Sequence, residues 1–149
     1  MIQSRSLKHS VPYIISILFT ILFLYAAITK LLDYAQFKLQ LQQSTILSGY
    51  ASSIAWIVPL AEIGVAFTLL LDRFRLYALF ASFVLVTLFT TYIVLILNFS
   101  DFIPCSCVGV MSALGWTGHI YLNIFLVALS VVGIFFNSGK QKYFFKNTT

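Results

Sequence analysis

Residues 76–98 read Leu76-Tyr77-Ala78-Leu79-Phe80-Ala81-Ser82-Phe83-Val84-Leu85-Val86-Thr87-Leu88-Phe89-Thr90-Thr91-Tyr92-Ile93-Val94-Leu95-Ile96-Leu97-Asn98, and no Asp, Glu, Lys or Arg interrupts them. A helix needs roughly 20 apolar residues to cross the hydrocarbon core of a bilayer, and this run supplies them. Its apolar residues are continuous rather than alternating, which excludes a barrel strand, and a helix satisfies every backbone group within the segment. The stretch therefore reads as a transmembrane helix.

Working outward, three more segments have the same character. Upstream, 52–71 is apolar except for Glu62, and 11–29 lies between Lys8 and Lys30. Downstream, 117–137 follows a loop at 99–116 that holds Asp101, the two cysteines and Gly115. Over its 149 residues the chain is 60% hydrophobic and 9% charged. Water-soluble domains carry about a quarter of charged residues, so this chain cannot coat a globule facing water. No Gly/Ser linker or charge run divides it, and no repeat is visible. The expectation is an all-α integral membrane protein, a single domain built as a four-helix transmembrane bundle. Arg5 and Lys8 ahead of the first span, with Ala26 and Ala27 near its end, give it some features of a signal peptide, but its apolar run is longer than a typical h-region and it is read as retained.

Short loops rich in Lys and Arg stay on the cytoplasmic side. Arg5, Lys8, Arg73, Arg75, Lys140, Lys142 and Lys146 fall on one side, whereas Lys30 and Lys38 fall on the other. Both termini are thus expected in the cytoplasm and the cysteine loop outside, which in a bacterium is the periplasm. The net charge of +5 is mostly this topology charge and calls for no nucleic-acid partner. The basic tail with Tyr143, Phe144 and Phe145 also suits an anionic lipid surface.

The outer segment 31–50 mixes polar and apolar residues. Leu31, Tyr34, Phe37 and Leu41 share one face at helical spacing, so it is expected to lie along the interface as a short amphipathic helix, a cap beside the cysteine loop. Trp56 and Trp116 fall at the expected outer boundary, where indole rings serve either as headgroup-layer belts or in a site.

The chain has two cysteines, and they stand in Ile103-Pro104-Cys105-Ser106-Cys107-Val108-Gly109. On a helix, side chains two apart diverge by about 200°, and on an extended strand their Cα atoms sit about 6.6 Å apart, at the upper limit for a disulfide. Closing the bond needs a bend, which Pro104 and Gly109 favour. So tight a ring is strained, and strained exposed disulfides are the labile, more oxidising ones. An oxidising exterior lets such a bond persist or cycle. Other readings are a static staple, which removes little chain entropy over so short a loop, and two idle thiols. A soft-metal site for copper or zinc from Cys105, Cys107, His119 and Met111 is a further reading, but three good ligands fall short of a closed zinc set.

His119 and Asn123 are four apart and share a helix face near the outer end of the fourth span. A histidine near a thiol favours the thiolate or shuttles its proton; the plainer alternative is a ring at rest at the interface. Glu62 is the ionisable residue deep inside a span, about 9 Å below Trp56 on a regular helix. Such a charge is costly, so Glu62 is expected either to be kept protonated by its surroundings or to pair with Lys30. Two roles stay open, a clamp between the first two spans and a proton-handling group beneath the thiols. Thr87, Thr90 and Thr91 are expected to bond their own backbone or a neighbouring helix.

Two groups of residues resemble a known family. Leu24-Tyr25-Ala26-Ala27-Ile28-Thr29-Lys30-Leu31-Leu32-Asp33, then Phe37 and Trp56-Ile57-Val58-Pro59-Leu60-Ala61-Glu62, resemble the first half of DoxX-like membrane proteins. Pro104-Cys105-Ser106-Cys107 with Gly109, then Trp116-Thr117-Gly118-His119 and Asn123, resemble the MauE-like redox-associated branch, with Val108 where a second glycine is expected. The resemblance implies a four-helix protein of the bacterial inner membrane tied to extracytoplasmic thiol chemistry, with MauE-like members assisting disulfide formation in secreted partners and DoxX-like members attached to quinone-linked oxidation.

The leading expectation is a thiol-disulfide redox protein whose Cys105/Cys107 pair exchanges with an extracytoplasmic thioredoxin-like or client protein. Any enzymatic role would be that of a thiol-disulfide oxidoreductase. One pair cannot relay electrons to a second pair inside the chain, so the final oxidant would be a quinone or another protein. The alternative from another class is a non-catalytic assembly subunit docking its helices into a larger membrane complex.

Overall fold

The computed structural model describes residues 2–44, 46–99 and 110–146, with side chains described for 10–44, 46–99 and 114–138. All regular structure among them is helical. The order is α1 (Ile2–Leu32), α2 (Tyr34–Gln43), a single 3₁₀ turn (Ser48–Tyr50), α3 (Ala51–Leu70), α4 (Arg75–Phe99) and α5 (Val110–Lys146). Four stretches are long and apolar enough to cross a membrane: Ser10–Leu32, Ser48–Leu70, Arg75–Phe99 and Leu114–Ser138. The chain is a multi-pass membrane protein.

The helices overrun the apolar runs that announce them. α1 continues past 29 to Leu32 and begins well before 11, and α5 covers both sides of 117–137. Hydrophobicity marks what lipid will accept, whereas a helix ends where its backbone loses a partner. The expected interfacial segment 31–50 is accordingly shorter. Leu31 and Leu32 belong to α1, Asp33 breaks the helix at φ −105° and ψ 42°, and α2 starts at Tyr34. Nor does α2 merely lie flat, because Phe37 and Leu41 are buried and pack with Ala51 and Ala55 of α3.

α1 packs chiefly on α3 and α5, α4 chiefly on α5 and less on α3, and α1 hardly meets α4. The spans thus stand in the ring order α1, α3, α4, α5, each antiparallel to its neighbours, as short connections demand. Phe19, Phe23, Leu69, Leu79 and Leu126 fill the centre. Small residues let the helices approach: a Cβ on Gly133 of α5 would meet Ile15 Cγ2 at 3.2 Å and Leu79 Cδ2 at 3.3 Å. Helices in lipid associate through such close packing rather than through a hydrophobic drive. Thr20 Oγ1 adds a link between helices, donating to Ser16 O at 2.8 Å and to Ala66 O at 3.3 Å.

The end opposite Lys30 holds a charge that topology alone does not explain. Arg75 is buried, pairs with exposed Asp72 one turn earlier, and lies 5.4 Å from the Tyr13 ring centre. It tethers α1 to the α3–α4 turn.

Replacing Gly133 by Leu forces Ile15 and Leu79 apart, and overpacking of this kind costs about 1–3 kcal/mol. Reversible unfolding in detergent should register the loss, while Gly64→Leu, which has open space around its Cα, should leave stability within about 0.5 kcal/mol.

Candidate functional site

Lys30 stands in the last turn of α1 and Glu62 midway along α3. Lys30 Nζ donates to Glu62 Oε1 at 2.8 Å and to Ala26 O at 3.3 Å. Glu62 is 2% exposed at its side chain and Lys30 16%. A charge in lipid must be solvated by protein. The ammonium has, besides these two oxygens, the faces of Phe89 at 5.2 Å and Phe37 at 5.9 Å. Aromatic faces attract a cation through their quadrupoles, most strongly where water is excluded.

The pair borders a cavity of about 130 Å³ to which all five helices contribute. From α5 come Trp116, His119 and Asn123, spaced three and four apart so that one face presents them together. From α2 come Phe37 and Leu41, and from α4 Phe89 and Tyr92. Three polar atoms here have no hydrogen-bond partner among the described residues: Glu62 Oε2, His119 Nδ1 and Asn123 Nδ2. Buried polar atoms are nearly always paired, so their convergence on one cavity sets it apart from ordinary core.

The backbone ahead of these α5 residues has a special shape. Gly115 has φ 65° and ψ 177°, a region open essentially to glycine alone, and it breaks α5 into two helical pieces. Trp116 is the first residue beyond the break. No turn-forming cluster surrounds Gly115, so the break had no signal in the sequence beyond the glycine itself.

The structure brings Lys30, Glu62, Trp116, His119 and Asn123 to one cavity. Trp56 lies apart, exposed, with its ring 5.2 Å from Tyr34. Pro104, Cys105 and Cys107 lie outside the described residues, as does the Met111 side chain, and with them the thiol geometry and the soft-metal reading. The three threonines donate to the carbonyls of Phe83, Val86 and Thr87 on their own helix. Phe89 and Phe37 were not foreseen as partners of the ammonium, since a phenylalanine in an apolar run carries no mark of it.

A family model described as Methylamine utilisation protein MauE matches residues 8–136. The chain belongs to the MauE family. The MauE match takes in the first three spans whole, the fourth as far as residue 136, and the segment with both cysteines. No curated protein and no solved structure matches the chain.

Removing one member of the buried pair strands the other charge. Lys30→Met or Glu62→Leu alone should therefore lower stability by about 3–5 kcal/mol, whereas the double variant should recover most of it. Equilibrium unfolding of the four proteins in one detergent gives the coupling directly.

Proposed function

We propose that this MauE-family protein is a membrane thiol-disulfide redox protein of the bacterial inner membrane, with both termini in the cytoplasm and the Cys105/Cys107 segment in the periplasm. The inside-positive distribution of Arg5, Lys8, Arg73 and Arg75 against Lys30 and Lys38 supports the orientation. The observation that carries the reading is one of placement: the chain leaves α4 at Phe99 and enters α5 at Val110, at the end of the bundle where Lys30, His119 and Asn123 gather. The segment between them carries both thiols.

In this reading one thiolate of the pair attacks a disulfide sulfur of an extracytoplasmic thioredoxin-like or secreted partner, and the partner's other sulfur leaves as a thiolate. The second cysteine of the pair then attacks the mixed disulfide, leaving Cys105–Cys107 oxidised and the partner a dithiol. Run backward, the same steps oxidise the partner. His119 supports the exchange by taking or giving the thiol proton. When the partner is the one oxidised, the pair ends as a dithiol, and its reoxidation by a quinone or by another protein, two electrons and two protons passing to the oxidant, completes the cycle.

The test is capture in intact membranes. Cys105→Ser and Cys107→Ser, made separately, should leave one sulfur each, and the variant that keeps the attacking one should accumulate a mixed disulfide visible on non-reducing gels. Capture by neither variant, together with a wild-type pair found always reduced by thiol alkylation, would overturn the proposal in favour of an assembly subunit.

A further inference from the structure

We propose that the cavity beside Lys30 and Glu62 is a binding site for a single six-membered ring bearing an oxygen substituent, the chemistry of a quinone headgroup or a small phenol. The volume, about 130 Å³, is close to that of a protein cavity known to take benzene, about 150 Å³. Phe37, Phe89, Tyr92 and Trp116 supply flat aromatic walls, against which a ring stacks better than a branched chain does.

The polar atoms decide what the ring must carry. Glu62 and Asn123 are 1% and 5% exposed, and each keeps an unpartnered atom among the described residues, a carboxylate oxygen that accepts and an amide nitrogen that donates. A hydrocarbon ring would leave both unpaired. An anion would face the Glu62 carboxylate and a cation the Lys30 ammonium, so the site suits a neutral molecule. A hydroxyl, on a phenol or on the reduced quinol form of a quinone, can donate to Glu62 Oε2, and a hydroxyl or a quinone carbonyl can accept from Asn123 Nδ2, so the oxidised quinone meets only the second need. Pockets for small molecules commonly combine apolar walls with a few convergent polar groups of this kind.

The site does not depend on thiol exchange, and its test uses the full chain in lipid nanodiscs with Cys105→Ser and Cys107→Ser, so that no probe reacts with sulfur. Trp56→Phe leaves Trp116, at the cavity, as the chain's sole indole. Three probes with one skeleton are titrated against Trp116 emission: 2,6-dimethyl-1,4-benzoquinone, 2,6-dimethylphenol and meta-xylene. At least one oxygen-bearing ring should bind saturably and roughly ten-fold tighter than xylene, the weight of one hydrogen bond. Preference for the benzoquinone marks a quinone headgroup as the ligand, and preference for the phenol marks a small phenol.

Asn123→Leu should weaken binding roughly ten-fold by removing the donor. Ala26→Leu fills the cavity while leaving every polar atom in place, so it should weaken binding at an unchanged melting temperature. Saturable binding of no probe, xylene binding as tightly as the oxygen-bearing rings, or full binding by both variants would each overturn the site. Binding here with no partner captured by the single-cysteine variants would retain the site and remove only the thiol reading.

Discussion

A lysine and a glutamate held 2.8 Å apart inside a membrane bundle constrain almost everything around them. Neither side chain is tolerable alone in hydrocarbon, and together they are tolerable only if the rest of their hydrogen-bonding and electrostatic needs are met by protein. This requirement draws the end of α1 onto the middle of α3. It also explains why aromatic rings from α2 and α4 turn toward the ammonium, and why the neighbouring face of α5 is polar. The half of the bundle at the Lys30 end is organised around one charge pair, whereas the other half is ordinary close packing of Phe, Leu and small residues.

That division has an energetic logic. Packing in lipid rewards contact and little else, so the helices around Phe19, Leu79 and Gly133 are pressed together. Around Lys30 the polar groups hold the helices at a distance set by their own reach, and a cavity is left where the rings and polar tips meet. Atoms on Glu62, His119 and Asn123 without a partner among the described residues are what such a compromise leaves behind.

The spans were legible in the sequence because long charge-free runs have one solution in a bilayer, and the meeting of Lys30 with Glu62 was legible as one of two outcomes, because a carboxyl there must either be paired or hold its proton. What could not be read is equally physical. Helices that are apolar all round give no periodic signal to separate the lipid face from the core, so Phe89 looked like any other span residue and the ring order of the helices was hidden. Arg75, placed at a loop by its charge, is instead covered, because its carboxylate and ring partners come from Asp72 and Tyr13, whose proximity only the fold reveals. The helix ends drifted outward for a related reason, since polar residues flanking a span extend a helix as readily as apolar ones.

Gly115 separates the two pieces of α5 with a backbone conformation that no side chain would tolerate, and the residues leading toward the cysteines lie on its far side. The hydrogen-bond ladder of a helix normally transmits rotation along its whole length. Interrupted there, it acts as a universal joint: the short piece at 110–114 can reorient without torque reaching Trp116, His119 or Asn123, so movement at that end of α5 and the order of the cavity are mechanically insulated from each other.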